Sequence, residues 1–200
     1  HRKLVLPQLG APGVRAFEVT KRTGFKVEYG PVRADDLPEY LKAGNKATSE
    51  MRRARFPLRD RIVLIPVELI GLLLPLVLAA AITILALGPA SALAVVTAAL
   101  GGIVLFPILL PYLPTKDYST KGLLLGIAAS LPFAAYQVLR QAPPALENYG
   151  AALTFLLLMP PVTGYIALNF TGSTPFPSRT GVRKEIFTYI PIMAGMLVVG

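Results

Sequence analysis

The sequence predicts two parts of different class: an α/β unit holding part of a parallel sheet in residues 1–44, and an all-α transmembrane domain of about five helices in residues 62–200. A basic linker, residues 45–61, joins them. Three observations support this division. The chain is 54% hydrophobic and only 16% charged, with a mean hydropathy of +0.57, whereas ordinary soluble domains are about 25% charged. The charge is local, because fourteen of the twenty Lys and Arg and seven of the eleven Asp and Glu fall in residues 1–61. Finally, two short apolar runs that end in Gly/Pro loops alternate with helical segments ahead of the apolar region.

Leu4, Val5 and Leu6 form the first apolar run, ended by Pro7, as expected of a buried parallel strand. A loop follows from Gln8 to Gly13. Val14 to Thr23 has good helix formers and stops at Gly24, which suits the left-handed residue just past a helix end. Phe25 to Tyr29 alternates apolar and polar residues, predicting a second strand closed by Gly30 and Pro31. Ala34 to Ala43 reads as a second helix, with Asp35 and Asp36 near its N-terminal dipole, Pro38 in its first turn and Gly44 as its stop. In such parallel strand-helix repeats, ligands bind beyond the carboxyl ends of the strands. Both Gly/Pro loops lie there. Two strands bury too little surface to stand alone, so the rest of the sheet is expected upstream. The chain opens on His1 with no initiator Met and ends at Gly200 inside an apolar run, and both ends read as cuts in a longer protein.

In the linker, Arg52, Arg53, Arg55, Arg59 and Arg61 are interleaved with Met51, Phe56 and Leu58. This pattern fits a juxtamembrane anchor facing anionic headgroups, or a docking surface for an acidic protein. Five apolar segments then approach the roughly 20 residues needed for a helical span: Ile62 to Leu87, Ala90 to Leu110, Thr120 to Leu139, Leu146 to Asn169, and Ile186 to Gly200. Lys116, Lys121, Arg179, Arg183 and Lys184 fall in loops on the side of the N-terminal unit, against Arg140 and Glu147 opposite. By the positive-inside rule the N-terminal unit is cytoplasmic. Glu68 is the one acidic residue well inside an apolar segment, either interfacial or a polar contact within the bundle. Pro66, Pro75, Pro107, Pro132, Pro160, Pro161 and Pro191 read as kinks; a transport site between broken helices is the alternative. Tyr112, Tyr118, Tyr149, Tyr165, Phe170 and Tyr189 lie near span ends and read as an interfacial belt.

Several chemistries lack the residues they need. With no cysteine and one histidine, the sequence offers no disulfide, iron–sulfur or thiolate metal site and little basis for a histidine one. No Walker loop, Ser/His/Asp set or paired carboxylates are visible. Despite a pI near 10.0, no stacking aromatic array or helix-turn-helix accompanies the basic residues, so no nucleic acid partner is expected.

The run HRKLVLPQLGAPGV, continuing through KRTGFKVEYGPVRADDLPEYLKAG and KATSEMRRARF, resembles the HgcA family, the membrane corrinoid proteins of microbial mercury methylation. These are relatives of the corrinoid iron–sulfur protein large subunit of the acetyl-CoA pathway. The resemblance covers the soluble part almost continuously and extends to a domain of five membrane spans. It implies a Rossmann-like domain holding a cobalamin-type corrinoid (cobalt), contacted by a first loop of Pro7, Gln8, Leu9, Gly10, Ala11, Pro12 and Gly13 and a second of Tyr29, Gly30, Pro31, Val32 and Arg33. Gly10 and Gly13 would permit close backbone approach, a helix beginning at Val14 would offer N–H groups to a phosphate, and Arg33 could pair with one. The family's cap helix, Asn-Val-Trp-Cys-Ala-Ala-Gly-Lys, precedes the point at which this sequence starts, so the cobalt-facing cysteine is expected upstream and no catalytic residue is assigned here.

What the resemblance implies is a methyltransferase: methyl transfer from a methyltetrahydrofolate-linked donor through the corrinoid to Hg(II), in an anaerobe's cytoplasmic (inner) membrane. A small ferredoxin-like iron–sulfur protein, HgcB, would act as reductant and mercury donor, with the lipid bilayer as anchor. The competing readings are a membrane-tethered corrinoid protein of acetyl-CoA-type one-carbon metabolism, and a small transporter or scaffold with a basic cytosolic extension.

Overall fold

The computed structural model describes residues 2–140, 143–174 and 178–200, with the backbone alone at Arg179; His1 lies outside the described residues. The chain divides into two compact units, residues 1–55 and 56–200. The boundary falls inside the basic stretch.

In the first unit, β1 (Lys3–Leu6) and β2 (Lys26–Tyr29) pair in parallel, Lys3 opposite Lys26 and Leu6 opposite Tyr29. Between them runs α1 (Ala16–Thr23), which ends at Gly24 in the left-handed region, φ 72°. A 3-10 turn (Ala34–Asp36) leads into α2 (Leu37–Lys42). The strand-helix-strand order is therefore present. A Rossmann-like domain needs more strands than these two. Tyr40 and Met51 are the deeply buried apolar side chains of this unit, while Leu9, Phe17, Phe25 and Leu41 are exposed, so its apolar faces are covered only in part.

The second unit is helical. Its elements are α3 (Leu58–Leu87), α4 (Pro89–Leu100), a π-helical segment (Gly101–Leu105), α5 (Phe106–Leu109), α6 (Tyr118–Leu139), α7 (Leu146–Asn169) with a 3-10 end (Phe170–Ser173), and α8 (Arg179–Val199). Among the described residues four stretches are long and apolar enough to cross a membrane: Leu58–Leu87, Pro89–Leu109, Tyr118–Leu139 and Leu146–Ser173. The expected fifth forms as α8 but falls short of that standard. Arg179, Arg183, Lys184 and Glu185 occupy its first two turns, leaving too short an apolar remainder.

The contact of α6 with α7 is built on small residues. Gly122 and Gly126 lie one turn apart on α6, and a Cβ at either position would stand 2.5 Å from α7, at Ala167 Cβ and Pro160 Cα respectively. The two backbones therefore meet as in small-residue membrane interfaces, where close packing supplies the attraction that a hydrophobic effect does not. Thr163 Oγ1 donates to Ala98 O at 2.8 Å, tying α7 to α4. The prolines sit within helices that continue past them. Pro107 has no N–H to return to the preceding turn, and the π-helical segment ends at Leu105, two residues before it.

Three sequence-based expectations change. Tyr118 and Phe170, read as belt residues, are 6% and 2% exposed and pack edge-on against buried Phe106. Lys121, read as a loop charge, is buried in the first turn of α6. Arg61, read as an anchor, is likewise buried in α3. Glu68 proves to be a contact within the unit, accepting from Ser173 Oγ at 2.8 Å.

Candidate functional site

The parallel register brings the carboxyl ends of β1 and β2 side by side, and with them the two loops singled out in the sequence. Gly30 N donates to Leu6 O at 2.8 Å and Gln8 N reaches Pro31 O at 3.5 Å, so the loops leave the sheet as neighbours. Gly30 is required by packing: a Cβ there would lie 2.8 Å from Val5 Cγ1. Val32 N donates to Met51 O at 2.9 Å, holding the second loop against the chain that follows α2.

The first loop is closed on itself. After Pro7 it makes a 3-10 turn over Gln8–Gly10. Gly10 N donates to Pro7 O at 2.9 Å, Ala11 N to Gln8 O at 3.2 Å, and Gly13 N and Val14 N both to Gly10 O, at 3.0 and 3.2 Å. This corrects the expected helix start. Val14 stays in the loop because its amide serves Gly10 and its carbonyl accepts from the Tyr29 hydroxyl at 2.7 Å. The helix begins at Ala16, and Arg15 pairs with Glu18 across its first turn at 2.9 Å. The Val14 amide, expected at a helix start facing a phosphate, already has an acceptor, as do the amides of Gly10 and Gly13. The acidic Glu18 also occupies the positive end of the helix dipole.

What remains is a cavity of about 240 Å³ lined by Val5, Leu6, Pro7, Pro31, Val32, Arg33, Ala34 and Leu37. Four of the twelve expected residues line it: Pro7, Pro31, Val32 and Arg33. Gln8, Leu9, Gly10, Ala11 and Pro12 form the loop beside it, and Gly13 borders a separate groove along α1 with Arg15 and Glu18. Tyr29 and Gly30 act as braces. At Gly10 a Cβ would meet nothing within 4 Å, so the outer side of that loop is open. Arg33 also lines a second, polar cavity of about 390 Å³ with Asp36, Glu39 and Glu50. The wall residues that sequence reasoning missed, Val5, Leu6, Ala34 and Leu37, are apolar positions like any others in the sequence, since strand-end geometry decides which of them also face the cavity.

Beside this end, Glu28 on β2 is held below the ordinary carboxylate range, chiefly by its hydrogen bond from Lys3 at 3.0 Å, with a smaller contribution from Lys26 at 3.6 Å. Among the described residues no group of three or more His, Cys, Asp or Glu could hold a metal ion. Chemically, the site presents aliphatic and proline surface with one guanidinium at its rim. Its size suits an apolar edge of a ligand rather than a whole one. Compared with family models, with curated proteins and with solved structures, the chain matches none.

Proposed function

We propose that this chain is the membrane-anchored corrinoid subunit of a methyltransferase, and that the acceptor of its methyl group is inorganic Hg(II). The observation that carries the reading is the juxtaposition of PQLGAPG and YGPVR at one end of a parallel strand pair, around an apolar cavity rimmed by Arg33. These are the same two segments on which the resemblance to the membrane corrinoid proteins rests. The residues fit such a cofactor in part. A cavity of about 240 Å³ is smaller than the roughly 300–1,000 Å³ of ordinary ligand pockets, so it takes an edge of a corrinoid and not the ring. Pro7, Pro31 and Val32 would meet apolar surface, Arg33 a carboxamide or phosphate oxygen, and open Gly10 the approach of a bulky group. The cobalt-facing side has no candidate residue among those described.

The bound corrinoid would supply the methyl-carrying cobalt, and the protein positions it. This chain's part is to hold the cofactor rim at the strand ends and to tether it to the bilayer through the apolar helices. The N-terminal unit is assigned to the cytoplasmic side of the inner membrane, where a methyltetrahydrofolate-linked donor and a ferredoxin-like iron–sulfur partner would reach it.

The test is to isolate the intact protein from its membrane, load it anaerobically with hydroxocobalamin, and follow corrinoid absorbance through gel filtration. Co-eluting absorbance that falls in Arg33→Ala, with methylmercury formed on adding reductant, methyl donor and Hg(II), is the expected result. Absence of co-eluting corrinoid would overturn the cofactor assignment. Bound corrinoid that methylates no Hg(II) would overturn the acceptor and leave the one-carbon reading.

A further inference from the structure

Arg61 in the first turn of α3 and Lys121 in the first turn of α6 are 8% and 9% exposed, respectively. Both are directed at the carboxyl end of the α5 segment. Arg61 Nη1 donates to Pro107 O at 2.8 Å and Ile108 O at 3.0 Å, and Lys121 Nζ donates to Leu110 O at 2.8 Å. Helix carbonyls carry about half a negative charge at such an end, which offsets only a fraction of two full positive charges. No carboxylate forms an ion pair with either cation among the described residues. The nearby buried acid, Glu185, instead accepts from Ser119 N and Oγ, both at 2.9 Å. Donor capacity is also left over. Among the described residues Arg61 Nε is buried without a hydrogen bond, and Lys121 has one acceptor for three N–H groups. Uncompensated buried charges are costly, by several kcal/mol per ion, so such a pair is expected to have a counter-ion.

The space for one adjoins them. Arg61, Lys121, Tyr118, Phe56, Leu110 and Pro111 line a cavity of about 310 Å³. It lies where α3 begins, α5 ends and α6 begins, at one end of three apolar stretches. In a bilayer crossed by these stretches, that end would meet the headgroups. We propose that this cavity binds one phosphate-bearing anion, its oxygens taken by the unused donors of Arg61 and Lys121, as in basic pockets between membrane helices. The phosphate belongs either to an anionic phospholipid or to a free phosphate, and the two sources share the same recognition.

The 200 residues contain no tryptophan, so Phe56→Trp places one indole among them at the cavity, read against the unsubstituted protein as blank. In the intact Phe56→Trp protein in zwitterionic detergent, dansyl-phosphatidylglycerol is expected to quench it saturably. Dansyl-phosphatidylcholine is not. Lys121→Met should weaken the lipid by about tenfold or more, corresponding to about 1.4 kcal/mol, and Lys121→Arg should retain it. Competition by inorganic phosphate assigns the site to free phosphate; quenching unaffected by phosphate assigns it to the lipid. If Lys121→Met does not fold, native mass spectrometry of the unmodified protein decides, with retained phosphatidylglycerol or phosphate supporting the site. Equal binding of the two lipids, or mass spectra in which neither anion is retained, would overturn it.

Discussion

Gly126→Ala is the sharpest test of how the membrane helices are held together. The added methyl would stand 2.5 Å from Pro160 Cα and 3.1 Å from Thr163 Cβ and Oγ1, against the roughly 3.5–4.0 Å at which carbon atoms pack. The shortfall at Pro160 is therefore about 1 Å. The obstacle is backbone, so no rotamer change relieves it, and α6 and α7 must part. Overpacking of this kind costs about 1–3 kcal/mol, partly offset by the roughly 0.5–1 kcal/mol that Ala gains over Gly in a helix. Gly71→Ala on α3 is the control, because a Cβ there meets nothing within 4 Å and only the favourable part applies. The two variants should differ by about 2 kcal/mol, or roughly 4–8 °C in Tm for a chain of this size. Thermal unfolding of both in one mild detergent, followed by far-UV circular dichroism, measures it. A Gly126→Ala protein melting at or above Gly71→Ala would refute close α6–α7 apposition as the basis of the fold.

Three further outcomes are expected. Thr163→Val removes the bond to Ala98 O and should lower stability by about 0.6–1.7 kcal/mol, the range for polar contacts between membrane helices; Thr163→Ser should keep most of it in the same melt. Gly30→Ala forces a methyl to 2.8 Å from Val5 Cγ1, whereas Gly10→Ala enters open space, so amide exchange in β1 should accelerate in the first variant and stay unchanged in the second. Lys3→Met should raise the Glu28 pKa toward its ordinary value, read by carboxyl NMR titration, since Lys3 is the leading cause of its depression. The sign follows from that depression: stability linked to Glu28 is present above the ordinary carboxylate pKa, is lost as pH falls through the lowered value, and is small because solvent and salt screen the pair.

How far the fold could be read from the sequence depended on whether a feature was local. Gly24 marked an element end because its left-handed backbone depends on the residue itself, and Pro31 marked another because it has no N–H for a strand ladder. The start of α1 was misplaced by two residues because Tyr29, fifteen positions downstream, binds the Val14 carbonyl, and no local pattern encodes that. Tyr118 and Phe170 do lie at the start of α6 and just past the end of α7, but they face the core. Proximity to a span end carries no information about rotation. Lys121 misled in a similar way: hydropathy counts a lysine as a loop charge, while its amine here closes a neighbouring helix end. The Gly122 and Gly126 spacing is itself legible as a packing motif, though less conspicuous than the prolines.

The closure of the first loop also bears on ligand class. A nucleotide-binding loop of the usual kind works by leaving amide hydrogens unmet until a phosphate arrives. In PQLGAPGV the amides of Gly10, Ala11, Gly13 and Val14 are met by Pro7, Gln8 and Gly10 carbonyls, and the two prolines contribute none. Opening this loop to a phosphate would break at least two of those bonds, each with a net value of about 1 kcal/mol, to gain the same number back. A ligand that lies against the loop without entering it avoids that exchange. The closed loop with its open outer side at Gly10 is therefore poorly arranged to hold a mononucleotide phosphate by its own amides.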